Sequence, residues 1–300
     1  MRVCGVRNIR YAFAAAGLVL LISALILTAH LSTNNLEFSQ YNTNWNGTSQ
    51  FFSGLDRHHT VMVTKSTQLE PYRGEALLLI LAPYRMPDDE EITAYQKFLD
   101  KGNTLLLADD FGTGSAILKQ IGSRITITRG NLSSVDRQYA DPYTVVVYRR
   151  GNSTLFSHCN TLITNRPAAV EGGDAVMTTS VLSWVDLDGD RRLRAPEAMG
   201  QYTVIAQEDI SRGRIIVISD PSIFINTMLE PDQPGDNLAC IQDLIRSNRT
   251  VLVDQMNSRT RDTEGMSEIL HLIRTTIPVN VLFLTLLVLA VAVVWRRKMV

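Results

Sequence analysis

The chain has 300 residues and an almost balanced charge, with 29 lysines and arginines against 30 aspartates and glutamates. The net charge of −1 and the pI of about 6.5 provide no basic surface and argue against a nucleic-acid partner. Two segments do not suit a soluble fold, because Tyr11–Ala29 and Ile277–Trp295 are uncharged and mostly apolar. A helix that crosses a bilayer needs about 20 such residues, so we expect transmembrane helices over 11–31 and 277–295.

The charges that flank these segments predict an orientation in the cell membrane. Three arginines precede the first segment, and residues 296–298 (Arg-Arg-Lys) follow the second. Positive flanks stay in the cytoplasm, so both termini are expected inside and the main domain outside. Two alternatives stay open. The first segment could be a cleaved signal peptide, although Thr28-Ala29-His30 is a poor cleavage site. The second could be a buried core helix.

This topology predicts a chain organised around one external domain. The residues before it, rich in asparagine, are polar and predict a tether. The expected parts are a cytoplasmic N-terminus at 1–10, a helix at 11–31, a linker at 32–50, an α/β domain at 51–256, a juxtamembrane segment at 257–276, a helix at 277–295 and a cytoplasmic tail at 296–300.

The sequence of the first half of the domain predicts alternating strands and helices. A short helix over 51–58 and a strand over 60–64 precede Ala76–Ala82, a continuous apolar run typical of a strand buried on both faces. Asp88 and Glu91 then form a capping box, which predicts the start of a helix. The next apolar run, from Thr104, follows Gly102 directly. This strand-helix-strand order predicts a parallel pair joined by a right-handed crossover.

The second half is richer in strands. A helix is expected over 115–121, strands over 124–128 and 144–149, a hairpin of 202–208 with 214–219, a helix over 237–247 and a last strand over 251–253. Together these elements predict an α/β fold with a mostly parallel sheet flanked by helices.

Two aspartate-containing turns mark a candidate ligand site. One follows the strand from Thr104, and the other follows the strand that ends at Ser219. If both strands belong to one parallel sheet, their ends meet at the same edge, where α/β proteins bind ligands. The alternative is that these carboxylates only cap helices and hold loops. The predicted ligand-binding residues are Asp109, Asp110, Gly112, Thr113, Asp220 and Ser222.

The segment from residue 186 to residue 197 resembles a calcium loop. Carboxylates stand at loop positions 1, 3 and 5, a carbonyl at position 7 and a glutamate at position 12, as calcium requires. Arg191 occupies position 6, where glycine normally provides a positive φ. A self-neutralising charged loop is the alternative to structural Ca²⁺. The predicted metal ligands are Asp186, Asp188, Asp190, Arg192 through its carbonyl, and Glu197.

The cysteines and histidines predict no nucleophilic site. Cys159 lies beside His158, but no strand-turn-helix signature surrounds it. Cys159 and Cys240 are the only cysteines in the expected external region, where a disulfide could persist, and a buried thiol is the alternative. We therefore predict no catalytic residues.

The runs Ala76–Ala82, Thr104–Gly114 (with Ala-Asp-Asp-Phe-Gly-Thr-Gly) and Ser219–Asn226 resemble archaeal membrane proteins of the domain-of-unknown-function 4350 family. The resemblance covers about residues 50–230. It implies a flavodoxin-like or class I glutamine amidotransferase-like sheet, related to gliding-motility-type auxiliary proteins of ABC transporters. It also implies an archaeal source and an operon partnership with MoxR-type ATPases and von Willebrand-like proteins.

The comparison with amidotransferases also shows a departure. Those enzymes carry a cysteine in the turn after a central strand, where this chain has Asp109, Asp110 and Phe111. We therefore expect a non-catalytic external domain that is anchored in the membrane and binds a partner protein or a small ligand, as a subunit or accessory protein of a membrane complex. A metal-assisted or carboxylate-based hydrolase and a structural subunit of an ABC-type transporter are the alternatives.

Overall fold

The computed structural model describes residues 33–136, 141–151, 155–230, 235–245 and 249–261, with a few isolated positions within 17–26 and 285–288. The chain divides into two units, one formed by Met1–Asn35 and Asp262–Val300 and the other by Leu36–Arg261. Within the described residues, no helix combines the length and apolarity needed to cross a bilayer. The segments predicted to span the membrane lie outside the described residues, apart from those isolated positions.

The described part of the second unit contains four α-helices and thirteen strands. The helices are α1 (Ser49–Gly54), α2 (Asp89–Asp100), α3 (Gly114–Ile121) and α4 (Asn237–Ile245). The strands are β1 (Thr60–Val63), β2 (Ala76–Leu81), β3 (Thr104–Ala108), β4 (Thr126–Ile127), β5 (Asn131–Ser134), β6 (Thr144–Arg149), β7 (Thr161–Asn165), β8 (Val170–Glu171), β9 (Asp174–Thr179), β10 (Ser183–Asp186), β11 (Thr203–Ile210), β12 (Gly213–Ile218) and β13 (Thr250–Asp254).

The main sheet has eleven strands and is mixed, which corrects the expectation of a mostly parallel sheet. Its order is β1-β13-β2-β3-β12-β11-β9-β6-β7, with β4 and β8 beside this path. The neighbours from β1 to β12 are parallel, and those from β12 to β7 are antiparallel. The direction reverses at the β11–β12 hairpin, where Ile210 pairs with Gly213 and only two residues make the turn. A turn this short can join only antiparallel strands. Ser211 takes the positive φ, 53°, that such a turn requires.

The parallel strands are buried on both faces, as their continuous apolar sequences predict. In β2, Leu77 and Leu79 pack with side chains of α1 and α4, whereas Leu78 and Ile80 pack with side chains of α2 and α3. Since successive strand residues point to opposite faces, β2 contributes to two cores at once.

The predicted capping of α2 is confirmed. The Asp88 carboxylate accepts a hydrogen bond from the Glu91 amide at 2.8 Å, and the Glu91 carboxylate accepts one from the Asp88 amide at 2.9 Å. Past the end of the helix, Gly102 has a φ of +86°, which favours glycine, and β3 begins two residues later.

Residues 36–48 belong to the fold, which corrects the prediction of a tether over 32–50. Phe38 is buried beside Ala82 and Ile225, and Asn42 and Thr48 have no exposed surface. The polar composition suggested a solvated linker, but these side chains are bonded within the domain. Thr48, for example, donates its hydroxyl hydrogen to the Phe38 carbonyl at 2.8 Å.

Cys159 and Cys240 form a disulfide, with Cα atoms 4.8 Å apart. Of the two alternatives that the sequence left open, the disulfide is therefore the one that forms. The bond ties the start of β7 to α4 on the face that carries α1.

Candidate functional site

The two aspartate-containing turns lie side by side at the edge where the parallel strands end, which we call the carboxyl edge. Strands β3 and β12 are parallel neighbours, and Ala108 pairs with Ile218. The Asp109 amide continues this ladder with a 3.0 Å hydrogen bond to the Ile218 carbonyl. The turns that begin at Asp109 and at Ser219 therefore start from adjacent positions, as the sequence predicted.

Asp109 holds the turn that leads into α3. Its side chain is only 3% exposed, and its two oxygens accept hydrogen bonds from the amides of Gly112 (3.2 Å) and Gly114 (2.6 Å). Both glycines are needed for this close approach. A Cβ at Gly112 would lie 2.5 Å from an Asp109 oxygen, and a Cβ at Gly114 would lie 2.6 Å from the other. The glycines thus allow the backbone to wrap around a buried carboxylate.

Asp220 plays the same part after β12 and has no exposed surface. Its oxygens accept hydrogen bonds from the amides of Asn165 at the end of β7 (2.6 Å) and of Ser222 (2.8 Å). A short 3₁₀ helix, Pro221–Phe224, begins at this cap. Asp220 therefore joins the antiparallel half of the sheet to the parallel half.

Asp110 and Phe111 form the outer part of the site. The Asp110 side chain is partly exposed and accepts a 2.6 Å hydrogen bond from the Phe111 amide, and Phe111 is 51% exposed. The hydroxyl of Thr113 lies 3.3 Å from the Pro83 carbonyl, so this turn packs against the loop after β2. Of the predicted ligand residues, Asp110, Gly112 and Thr113 reach the surface.

The sequence analysis missed a third aspartate of the same kind. Asp254 ends β13, has no exposed surface and accepts hydrogen bonds from the amides of Met256 (2.6 Å) and Asn257 (3.2 Å). The hydroxyl of Tyr95 in α2 donates to its other oxygen at 2.9 Å. The available signal was a buried strand followed by aspartate, as at Asp109, but the strand is short and the prediction stopped at Val253.

Burial makes these three aspartates weaker acids than free aspartate. Burial raises the pKa of Asp220 to about 7, although hydrogen bonds from backbone amides oppose it and the nearby Asp110 charge adds to it. Burial likewise raises the pKa of Asp109 and of Asp254 to about 6, against the lowering effect of their amide hydrogen bonds. The pKa of Asp110 is also raised, mainly by burial. The carboxyl edge therefore holds four acids that keep their protons more readily than free aspartate.

An open pocket of about 250 Å³ lies elsewhere on this edge, beside the ends of β1 and β13. Its lining includes Thr64, Lys65, Glu91 and Met256. None of the six predicted ligand residues contributes to it, because their turns pack against each other and against the loop after β2.

The calcium-like loop brings three carboxylates together. Asp186, Asp188 and Asp190 each have an oxygen within 4.8 Å of the others, so this acidic cluster could hold a metal ion. Arg191 has a φ of 61°, and the position normally taken by glycine thus has the required backbone conformation. Its amide donates to Asp186 at 2.8 Å.

The other predicted ligands of this loop are partly engaged by the protein. The Glu197 carboxylate accepts hydrogen bonds from the amides of Leu187 (2.8 Å) and Arg194 (3.0 Å). Arg194 also forms a 2.8 Å ion pair with Asp190. A carboxylate oxygen can accept an amide hydrogen bond and still bind a cation, so these contacts leave the acidic cluster able to hold a metal ion.

His158, which precedes Cys159, and His59 each pair with an aspartate. His158 lies 2.8 Å from the Asp243 carboxylate, and His59 lies 2.7 Å from Asp56. The neighbouring Cys159 is consumed in the disulfide with Cys240, so this cysteine offers no thiolate to act as a nucleophile.

The fold and the site define an α/β domain in which buried aspartates hold the loops at the carboxyl edge of the parallel strands. The chain belongs to the family described as "Domain of unknown function (DUF4350)", whose model matches residues 40–245. No curated protein matches the chain.

Several solved structures match part of the chain. The mmIFT52 N-terminal domain matches with a TM-score of 0.44 and 15% identity, covering 61% of this chain and 82% of that one. A β-galactosidase from Bacillus circulans sp. alkalophilus matches with a TM-score of 0.33 and 7% identity, and the match covers 50% of this chain and 21% of the galactosidase chain. A β-galactosidase from the haloarchaeon Halorubrum lacusprofundi matches with a TM-score of 0.32 and 9% identity, and the match covers 58% of this chain and 22% of that galactosidase chain.

Proposed function

We propose that this protein is a membrane-anchored, extracytoplasmic binding or scaffold domain without catalytic activity, a subunit or accessory protein of a membrane complex. The observation that carries the proposal is the meeting of the two ends of the domain. The Gln40 amide donates to the Thr260 carbonyl at 3.2 Å, and Glu37 lies 3.7 Å from Arg259. Each end continues into a sequence that contains an apolar segment of membrane-spanning length. Two anchors that leave one point of a domain can hold it against one side of a bilayer.

The state of the carboxylates supports a non-catalytic role. A general base or metal ligand must direct an oxygen at a substrate or metal. Asp109, Asp220 and Asp254 are instead at most 3% exposed, so their oxygens, which accept hydrogen bonds from the backbone and from Tyr95, are enclosed by the protein. Asp109, Asp220 and the buried Ser222 therefore position loops, and contact with a partner falls to surface residues.

A thiol-labelling experiment in intact cells tests the topology. A membrane-impermeant maleimide should label a Ser211→Cys variant from outside, because Ser211 is exposed at the turn between β11 and β12. The native Cys4 of the same molecule is the matched control and should react only after the cells are permeabilised. Labelling of Cys4 in intact cells, or protection of position 211 until permeabilisation, would contradict the proposal.

The resemblance to class I glutamine amidotransferases extends this proposal. The turn after β3 corresponds to the site of the amidotransferase cysteine, and here it carries Asp109, Asp110 and Phe111. We take the sheet as a class I amidotransferase-like scaffold that lost its chemistry, as in gliding-motility-type auxiliary proteins. An archaeal source and an operon with MoxR-type ATPases and von Willebrand-like proteins would make such proteins its partners.

A second candidate function is the binding of structural Ca²⁺ by the loop of residues 186–197. The positive φ of Arg191 favours it, because the loop has the turn of a calcium site without the usual glycine. Asp186, Asp188, Asp190, the Arg192 carbonyl and Glu197 would hold the ion. The ion would neutralise the clustered carboxylates and hold the segment between β10 and β11 in place.

Isothermal titration of the full chain with CaCl₂ tests this candidate. We expect saturable heat that is lost or strongly reduced in Asp188→Ala, because this change removes a ligand oxygen and a charge from the cluster. Asp209→Ala is the matched control, since Asp209 is exposed and pairs with Arg214 outside the loop at 2.7 Å. No heat above dilution, or equal heat in Asp188→Ala and the wild type, would exclude calcium binding at this loop.

A further inference from the structure

Large apolar side chains are exposed on neighbouring loops of the carboxyl edge. Phe111 is 51% exposed after β3, and Tyr84 and Met86 are 43% and 37% exposed after β2. The two loops touch, because the Thr113 hydroxyl lies 3.3 Å from the carbonyls of Pro83 and Arg85. We call Tyr84, Met86 and Phe111 the strand-edge patch. Exposed aromatic and apolar residues grouped on one surface indicate an interaction site.

The two ends of the described domain lie beside this patch. The Arg259 amide donates to the Ala82 carbonyl at 3.2 Å, and the Tyr84 amide donates to the Asn257 carbonyl at 3.0 Å. The segment that leaves the domain at Arg261 therefore runs alongside the loop that carries Tyr84. The N-terminal end lies at the same place, since Gln40 bonds to Thr260.

The length of the N-terminal connection limits how far this edge can stand from a bilayer. The first predicted span ends at residue 31, and the domain begins at Leu36. Five extended residues reach at most about 18 Å. The thickness of the headgroup region takes up part of that distance, so the carboxyl edge must stay close to the lipid surface.

We propose that the strand-edge patch inserts into the lipid headgroup layer and fixes the domain with its carboxyl edge toward the membrane. This inference rests on the membrane anchoring proposed above. Tyrosine and phenylalanine suit the boundary between headgroups and acyl chains, where an apolar ring can be buried while polar neighbours stay hydrated. Trp45, 64% exposed on the loop before α1, lies on the same side, because its carbonyl accepts a hydrogen bond from Thr227 beyond the end of β12.

Lipid quenching of a fluorescent probe tests the inference with the full chain. Phe111→Cys is made in a Cys4→Ser background, labelled with the environment-sensitive fluorophore NBD and reconstituted into phosphatidylcholine–phosphatidylglycerol vesicles that contain a doxyl-labelled lipid. Cys159 and Cys240 do not react because they form the disulfide. We expect about a twofold loss of emission, since the probe would lie within the headgroup layer.

Ser211→Cys, labelled in the same way, is the matched control. Ser211 is exposed at the opposite end of β12, whose length places it about 20 Å from the carboxyl edge. Its emission should not respond to the doxyl lipid. Met86→Cys gives a second probe of the patch if the variant at position 111 fails to fold.

The outcomes separate the two proposals. If carbonate extracts the protein from the vesicles, the anchoring fails, and with it the orientation. If the protein stays with the vesicles but the probes at 111 and 86 are quenched no more than the probe at 211, the patch does not meet lipid. A protein partner would then be the occupant of the patch, and the inference is overturned.

Discussion

The protein should become more stable as the pH falls from about 8 to about 5, which is opposite to the usual effect of acid on carboxylate-rich folds. Burial raises the pKa of Asp220 to about 7 and that of Asp109 and Asp254 to about 6, from an ordinary value of 3.8. An acid whose pKa is higher in the folded state than in the unfolded state stabilises the fold while it is protonated. This stabilisation is complete below the pKa of the unfolded state. It is lost as the pH rises through the pKa of the folded state.

Asp220 gives the largest effect. Its shift from 3.8 to about 7 corresponds to a free energy on the order of 4 kcal/mol, lost mostly between about pH 4 and about pH 7. Replacing Asp220 by asparagine removes the titration. The variant loses one hydrogen bond, because its side-chain NH₂ must face the amide of either Asn165 or Ser222. Its stability should therefore be lower than that of the wild type at pH 5, with a weaker dependence on pH.

Thermal unfolding of the full chain in detergent, followed by near-UV circular dichroism across this pH range, measures the effect. The control is Asp209→Asn, because the hydrogen bond from Arg214 lowers the pKa of Asp209 and places its titration below this window. This control should keep the wild-type slope. Parallel profiles for the wild type and Asp220→Asn would refute the assignment of the pH dependence to Asp220.

Three further changes test other parts of the fold. Gly114→Ala should destabilise the protein by about 1–3 kcal/mol, since the new Cβ would lie 2.6 Å from an Asp109 oxygen. Thermal melting measures the loss. The control is Gly54→Ala, where a Cβ meets nothing within 4 Å. Cys159→Ser should cost about 4.5 kcal/mol in urea unfolding, because the disulfide closes a loop with a sequence separation of 81, and a variant as stable as the wild type would contradict this. Asp88→Ala should lower the free energy of unfolding by about 1 kcal/mol through loss of the α2 cap, and an unchanged urea midpoint would argue against the capping role.

The sequence was sufficient for the parallel half of the domain because its signals are local. The continuous apolar runs of β2 and β3 require burial on both faces, and the capping box at Asp88 specifies where α2 begins. The neighbouring positions of the turns at Asp109 and Ser219 followed from one further rule, that parallel strands end at the same edge. The number of cysteines and their expected compartment allowed a disulfide between Cys159 and Cys240 but left a buried thiol open, and the bond is seen only in the structure.

The antiparallel half was predicted less well, because β7 and β9 mix polar and apolar residues and no continuous apolar run marks them in the sequence. β7 lies at the end of the sheet path, yet the amide of Asn165 at its end bonds to Asp220 after β12. A sequence pattern does not reveal such a contact. The mixed character of the sheet therefore emerged only from the complete strand order.

The burial of the loop before α1 was also not predictable from its polar sequence. Asparagines predict a solvated linker when read alone, but Asn226 donates its side-chain hydrogens to the carbonyls of Asn42 (3.1 Å) and Asn44 (2.6 Å), and its oxygen accepts from the Gln50 amide (2.8 Å). A polar group can be buried when its hydrogen bonds are satisfied, and those partners are more than 170 positions away in sequence.

The sequence by itself determined the buried strands, the capped helix and the aspartates that follow two of the strands, because apolar runs and caps act over a few residues. Only the tertiary structure decided what those aspartates do. Whether a carboxylate faces solvent or accepts backbone hydrogen bonds depends on which loops fold over it, and at Asp109, Asp220 and Asp254 the surrounding loops enclose the side chain. The tertiary structure likewise brought Tyr84, Met86 and Phe111 onto one exposed edge, because neighbouring strands that are separate in sequence end there together.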